Sequence, residues 1–166
     1  MLIQNGIPIA EDLAPVIPPA DRLEQGPVAI AECFQKIPCN PCTKACIRQA
    51  IRIEPDINET PQVDFTRCNG CSACISRCPG LAIFVVDMSY SPEMALVKLP
   101  YEFLPVPSAG ELVTGLNRSG EAVGRFPVVR VISGGTTNKT YTISLAVPKE
   151  FAIEVRNIQV EGLENE

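Results

Sequence analysis

The stretch Cys68-Asn69-Gly70-Cys71-Ser72-Ala73-Cys74-Ile75-Ser76-Arg77-Cys78-Pro79 sets four cysteines at C-x2-C-x2-C-x3-C, with a proline directly behind the last. A second run lies upstream, Cys33-x5-Cys39-x2-Cys42-x3-Cys46, and together the two hold all eight cysteines of the 166-residue chain. One constant shift of 32 residues carries Cys39, Cys42 and Cys46 onto Cys71, Cys74 and Cys78, and Ala50-Ile51 onto Ala82-Ile83. Such a repeat predicts two half-modules related by a pseudo-twofold axis. The copies differ at two points. Cys33 is offset by 35 from Cys68, so the first loop is three residues longer, and Ile47 stands where the second copy has Pro79.

Cysteines at x2-x2 spacing can meet three neighbouring iron corners of a cubane only from one tight loop whose N–H groups face the sulfurs, and Gly70 permits that close approach. Other readings use the same residues. Four disulfides are disfavoured because reducing compartments keep thiols free and adjacent C-x2-C steps pair poorly with each other. Two four-cysteine zinc sites would more usually separate two C-x2-C pairs by a longer loop. A single cluster with a degenerate first run is the remaining alternative. Residues 33–87 resemble the bacterial-type two-cluster ferredoxin domain, closely in the second motif and with a stretched loop in the first. The resemblance implies two 4Fe-4S clusters whose fourth ligands cross between the runs. Cys33, Cys39, Cys42 and Cys78 would hold one, and Cys46, Cys68, Cys71 and Cys74 the other.

What the chain lacks narrows the chemistry further. With no histidine, Ser-His-Asp and Cys-His nucleophiles, His-bearing zinc sites, haem on a proximal histidine and the Rieske centre are all excluded. No G-x-G-x-x-G or G-x4-G-K-[ST] occurs, so neither a dinucleotide nor a nucleotide fingerprint is present. Ser133-Gly134-Gly135 reads as a hairpin turn. No catalytic group can be assigned. The net charge of −5 divides into −3 over residues 1–26, 0 over 27–87 and −2 over 88–166, leaving no polybasic patch for nucleic acid or anionic membrane. The longest apolar run, Leu81 to Val86, is far short of the roughly 20 residues of a membrane helix. The expectation is a cytoplasmic protein with no membrane span and no nucleic-acid partner.

The fold class expected is α+β: a ferredoxin-like two-cluster domain with a pseudo-twofold repeat, followed by a small antiparallel β-sheet or barrel. Residues 1–26, with Pro8, Pro15, Pro18 and Pro19 among apolar residues, read either as an extended arm that needs a surface to lie on or as a frayed terminus. Residues 27–90 form the cluster domain. Residues 91–166 form the β-rich domain, with strands over Glu111 to Leu116, Glu121 to Ile132 and Thr140 to Val147, and a short helix from Pro148 through Val155.

The Pro-rich arm, Pro100-Tyr101-Glu102-Phe103-Leu104-Pro105 and Val147-Pro148-Lys149-Glu150 resemble the small iron–sulfur subunit of multisubunit FAD-dependent amino-acid dehydrogenases of the proline, hydroxyproline and opine group. That resemblance implies an electron-transfer subunit in a hetero-oligomer with flavin-containing dehydrogenase subunits, the FAD or FMN residing only in those partners. The alternatives are a free ferredoxin-type carrier, a ferredoxin-like subunit of another oxidoreductase, and a zinc-stabilised interaction module.

Overall fold

The structure, a computed structural model, describes residues 2–161. The arm is not extended. It folds into three helical turns, α1 (Leu2–Asn5), α2 (Ala10–Leu13) and α3 (Ala20–Glu24). Its prolines fall between these pieces: Pro15 follows α2 and Pro19 caps α3, positions where a missing N–H costs nothing. Leu23 is buried and Val16 packs on the main core, so the arm does lie on the body of the protein.

The rest is built on antiparallel strands: β1 (Val28–Ala31), β2 (Ile51–Arg52), β3 (Gln62–Val63), β4 (Ile83–Asp87), β5 (Met94–Tyr101), β6 (Leu112–Leu116), β7 (Ala122–Ser133), β8 (Tyr141–Pro148) and β9 (Asn157–Gln159). Seven of them form one sheet in the order β1-β4-β5-β8-β7-β6-β9, and β2 pairs with β3 separately. The boundary expected at residue 90 therefore falls in the turn between two hydrogen-bonded strands, where Val85 faces Lys98 and Val86 faces Val97.

Strands β1 and β4 explain why this wall is continuous. Val28, Ile30, Phe84 and Val86 point into the large core with Val97, Leu99, Val113, Ile143 and Leu145. Ala29, Ala31, Ile83 and Val85 point the other way, onto Cys42, Cys74, Ile51 and Ile75. A strand covered on both faces needs no polar alternation, which is why Leu81 to Val86 is an unbroken apolar run. On β5, by contrast, Ala95, Val97 and Leu99 are buried and alternate with half-buried Met94, Leu96 and Lys98.

The sheet curls until its two ends share one core: Val155, Ile158 and Val160, in and around β9, pack in the same cluster as Val28 and Ile30. Two irregularities help it bend, at Gly115/Leu116 and between Val128 and Arg130. Phe126 packs into the bend, because a Cβ on Gly115 or Gly124 would lie 2.6 or 2.7 Å from its ring. No ladder joins β1 to β9, and a buried charge cluster closes the gap. Glu32, just after β1, accepts from Arg118 Nη2 at 2.6 Å and from Arg156 Nε at 2.7 Å, while the Arg156 guanidinium lies 4.9 Å from the centroid of the Phe84 ring.

Three features of this half depart from the sequence expectations. A strand with Pro100 inside it, β5 over Met94–Tyr101, precedes the first expected strand at Glu111. The expected C-terminal helix is a single 3-10 turn, Lys149–Phe151. It is followed by strand β9, which was not anticipated.

Candidate metal centre

Both cysteine runs lie on loops entered or left by the short strands. After Cys39 comes a helical turn, α4 (Pro41–Ala45), with Pro41 at its start, and after Cys74 a 3-10 turn, Ile75–Arg77. The 32-residue shift of the sequence reappears in the backbone. Ala31 faces Ile83 as Val63 faces Ile51, and Ile30 faces Phe84 as Gln62 faces Arg52. Glu32 N donates to Ala82 O at 2.8 Å, and Asp64 N to Ala50 O at 2.7 Å. Thr43 N bonds Asn40 O as Ile75 N bonds Ser72 O, and Gln49 and Leu81 both carry a φ of +51°. That left-handed residue turns each chain sharply back after the fourth cysteine of its run.

The consequence is two thiol quartets around two separate clefts. Cys46, Cys68, Cys71 and Cys74 line one, with Ala29, Ile51 and Val85 as its floor. Cys33, Cys39, Cys42 and Cys78 line the other, floored by Ile53 and Ile83. Cys33 reaches the second cleft despite its longer loop, because its neighbour Glu32 is pinned through both its backbone and its carboxylate. None of the eight cysteines is paired in a disulfide. Among the described residues, no three Cys, Asp or Glu side chains stand at the spacing of a single metal ion, and the thiols of each quartet surround a cleft.

Amide groups meet the sulfurs, as an iron–sulfur site requires. Ala50 N donates to Cys46 Sγ at 3.3 Å and Ala82 N to Cys78 Sγ at 3.4 Å, again 32 residues apart, while Ala29 N donates to Cys68 Sγ at 3.4 Å. Burial, with the charges of Cys78, Cys39 and Cys33, pushes the Cys42 thiol up to about 11. Burial, with Cys68, Cys71 and Cys46, pushes Cys74 up to about 12. Burial, with the charges of Cys78 and Cys39, raises Cys33. Packed thiols thus repel one another's charge, and a bound cation relieves this while releasing their protons. Four sulfur donors with inward-facing amides fit a 4Fe-4S cluster.

The surrounding polar framework was not legible as a site. Arg22 donates to Phe65 O at 2.7 Å, Cys68 O at 2.8 Å, Gly26 O at 3.0 Å and Pro27 O at 3.2 Å. Gly70, at φ +64°, lies so close to Pro27 that a Cβ there would be 2.4 Å from Pro27 Cβ. Lys98 Nζ bonds Gly70 O at 3.4 Å, and Asn138 Nδ2 bonds Ser76 O at 2.5 Å, tying β5 and the β7–β8 loop to the second cysteine run. One signal was available: Arg22 is the single basic residue in the first 26.

Residues 37–82 match the family model described as the 4Fe-4S dicluster domain, a span that contains seven of the eight cysteines and begins after Cys33. Over these residues the chain therefore carries a 4Fe-4S ferredoxin-type domain. Among curated proteins it is similar to the ferredoxin-type protein NapF of Haemophilus influenzae, at 38% identity over 57 residues, covering 33% of this chain and 32% of that protein. It is also similar to NapF of Escherichia coli K12, at 36% identity over 52 residues, covering 30% of this chain and 32% of that protein. The chain thus spans about a third of the length of these relatives. No solved structure matches it significantly. No helix among the described residues is long and apolar enough to cross a membrane.

Proposed function

We propose that the eight cysteines hold two 4Fe-4S clusters, one on Cys33, Cys39, Cys42 and Cys78 and one on Cys46, Cys68, Cys71 and Cys74, and that the chain relays single electrons within a multisubunit flavin-dependent dehydrogenase. The observation that carries the reading is the sorting of cysteines from two distant runs into two quartets around separate clefts, with Cys46 and Cys78 each crossing to the other run's group. When bound, such clusters accept and release one electron at a time, so two-electron oxidation of a substrate belongs to a flavin in a partner chain. The chain's own residues hold the thiols, direct amides at sulfur and floor both clefts with apolar side chains.

Two features support a subunit over a freely diffusing carrier. The added sheet shares strands with the cluster region, and Phe103 and Leu104 stand 56% and 77% exposed beside a cleft lined by Tyr101, Leu116 and Val160. The likeness to ferredoxin-type proteins favours a second reading, a ferredoxin-like carrier or subunit serving another oxidoreductase. A cytoplasmic, reducing setting belongs to both.

Anaerobic purification from the native host, with iron, sulfide, zinc and flavin quantified in whatever co-elutes, tests the proposal. About eight irons per chain are expected, together with a flavin-bearing partner. The same iron in an isolated monomer would favour the carrier, and zinc without iron would replace both by a zinc-stabilised module.

A further inference from the structure

We propose that Arg22, Arg48 and Lys98 make the site of Cys46, Cys68, Cys71 and Cys74 the higher in reduction potential of the two, so that an electron taken up by the chain comes to rest beside the exposed Cys71. The inference rests on the two-cluster reading above and deepens it.

Two observations point the same way. The first is charge. Arg22, Arg48 and Lys98 come from the arm, the first cysteine run and β5, and each donates to a carbonyl of one short loop: Arg22 to Cys68 O at 2.8 Å, Arg48 Nε to Arg67 O at 3.3 Å and Lys98 to Gly70 O at 3.4 Å. Arg48 also lines the cleft itself. Asp64, at the start of that loop, turns its carboxylate to the Thr66 hydroxyl and the Thr66 and Arg67 amides. Around the other quartet the cations are held in ion pairs: Lys36 pairs with Glu59, which lines that cleft, and Arg118 and Arg156 share Glu32 beside Cys33, so two carboxylates offset all but one of the three positive charges.

Amides meet sulfurs in both quartets, those of Ala29 and Ala50 in one and those of Gln35, Thr43 and Ala82 in the other, so hydrogen bonding does not separate them. The second observation is exposure, since Cys71 is exposed whereas Cys33, Cys39 and Cys78 are half-buried and Cys42 is buried. Adding an electron to a thiolate-bound cluster adds negative charge. Nearby cations, N–H donors to sulfur and contact with water all stabilise that charge and raise the potential. Clusters held by the two quartets would exchange a single electron, the one on Cys33, Cys39, Cys42 and Cys78 giving up what the one on Cys46, Cys68, Cys71 and Cys74 would take. No proton need move.

The test is an anaerobic redox titration of the full chain, purified with its iron–sulfur content, followed by electron paramagnetic resonance. Wild type is expected to show two separate midpoints. Lys98→Gln and Arg48→Gln should each lower the higher midpoint and leave the lower in place, while Lys98→Arg keeps the wild-type value. Arg48 is exposed, so its variant provides a readout that does not depend on the sheet. Movement of the lower midpoint, equal movement of both, or no movement in either Gln variant overturns the assignment while leaving two clusters intact. Absence of any reduced-cluster signal in wild type would instead overturn the two-cluster reading on which it stands.

Discussion

Glu32 joins the two ends of the curled sheet with a side chain only 7% exposed, against 4% for Arg156 and 12% for Arg118. Removing one member of a buried ion cluster leaves an unpaired charge in the interior, so Glu32→Ala should cost about 3–5 kcal/mol in denaturant unfolding. Burial would raise the Glu32 carboxyl, but the hydrogen bond from Arg118 and the charge of Arg156 outweigh it and hold the group below its ordinary value of 4.5. Its contribution to stability is therefore present above pH 4.5 and lost as the pH falls through the lowered value. Melting curves from neutral to acid pH should fall more steeply for wild type than for Glu32→Gln. The adjacent Cys33 has its own expected outcome. Cys33→Ser should reduce iron from about eight to about four per chain, and unchanged iron would remove Cys33 from the ligand set.

Among elements, Gly115 of β6 and Gly124 of β7 leave the space that the Phe126 ring fills. Phe126→Ala should destabilise the protein by about 3–5 kcal/mol, read from chemical denaturation, because two strands cannot collapse into the space their missing side chains leave. The loop before Cys71 is held as tightly. Gly70 combines a φ of +64° with the 2.4 Å approach to Pro27, so Gly70→Ala must displace either the loop or the arm. Iron analysis of that variant should show loss centred on the Cys68–Cys74 quartet with the other retained.

The chain as a whole was expected to divide at residue 90, and its sheet runs through that point. A fragment of residues 1–90 would expose the inward faces of β1 and β4, with Val28, Ile30, Phe84 and Val86 stripped of Val97, Leu99 and Leu145. It would also lack both arginines that satisfy Glu32. Such a fragment should aggregate or fail to retain iron on gel filtration, and a soluble, iron-loaded monomer would show that the cysteine region folds independently of the sheet.

How much could be read in advance follows from which forces act locally. Cysteine spacing is a local constraint, since ligands three or four residues apart must meet neighbouring positions, and the strand pairings and the turns at Gln49 and Leu81 lie 32 residues apart, as the cysteines do. Strands with clean alternation or clear turns, β6 through β8, were legible for the same reason. The N-terminal helical turns were not, because four- or five-residue helices carry little intrinsic stability and depend on the surface beneath them. β5 was obscured by Pro100, and β9 by being three residues long. The amino-acid sequence by itself determined the chemistry of the site, thiols in two repeated runs with no histidine, together with the kind of strands that follow. Only the tertiary structure decided that β1 and β4 serve both layers, that Glu32 closes the sheet, and which cations stand over which quartet. Those are contacts between residues 19 to 124 positions apart, and no local pattern encodes a meeting whose free energy appears only when the whole sheet has formed.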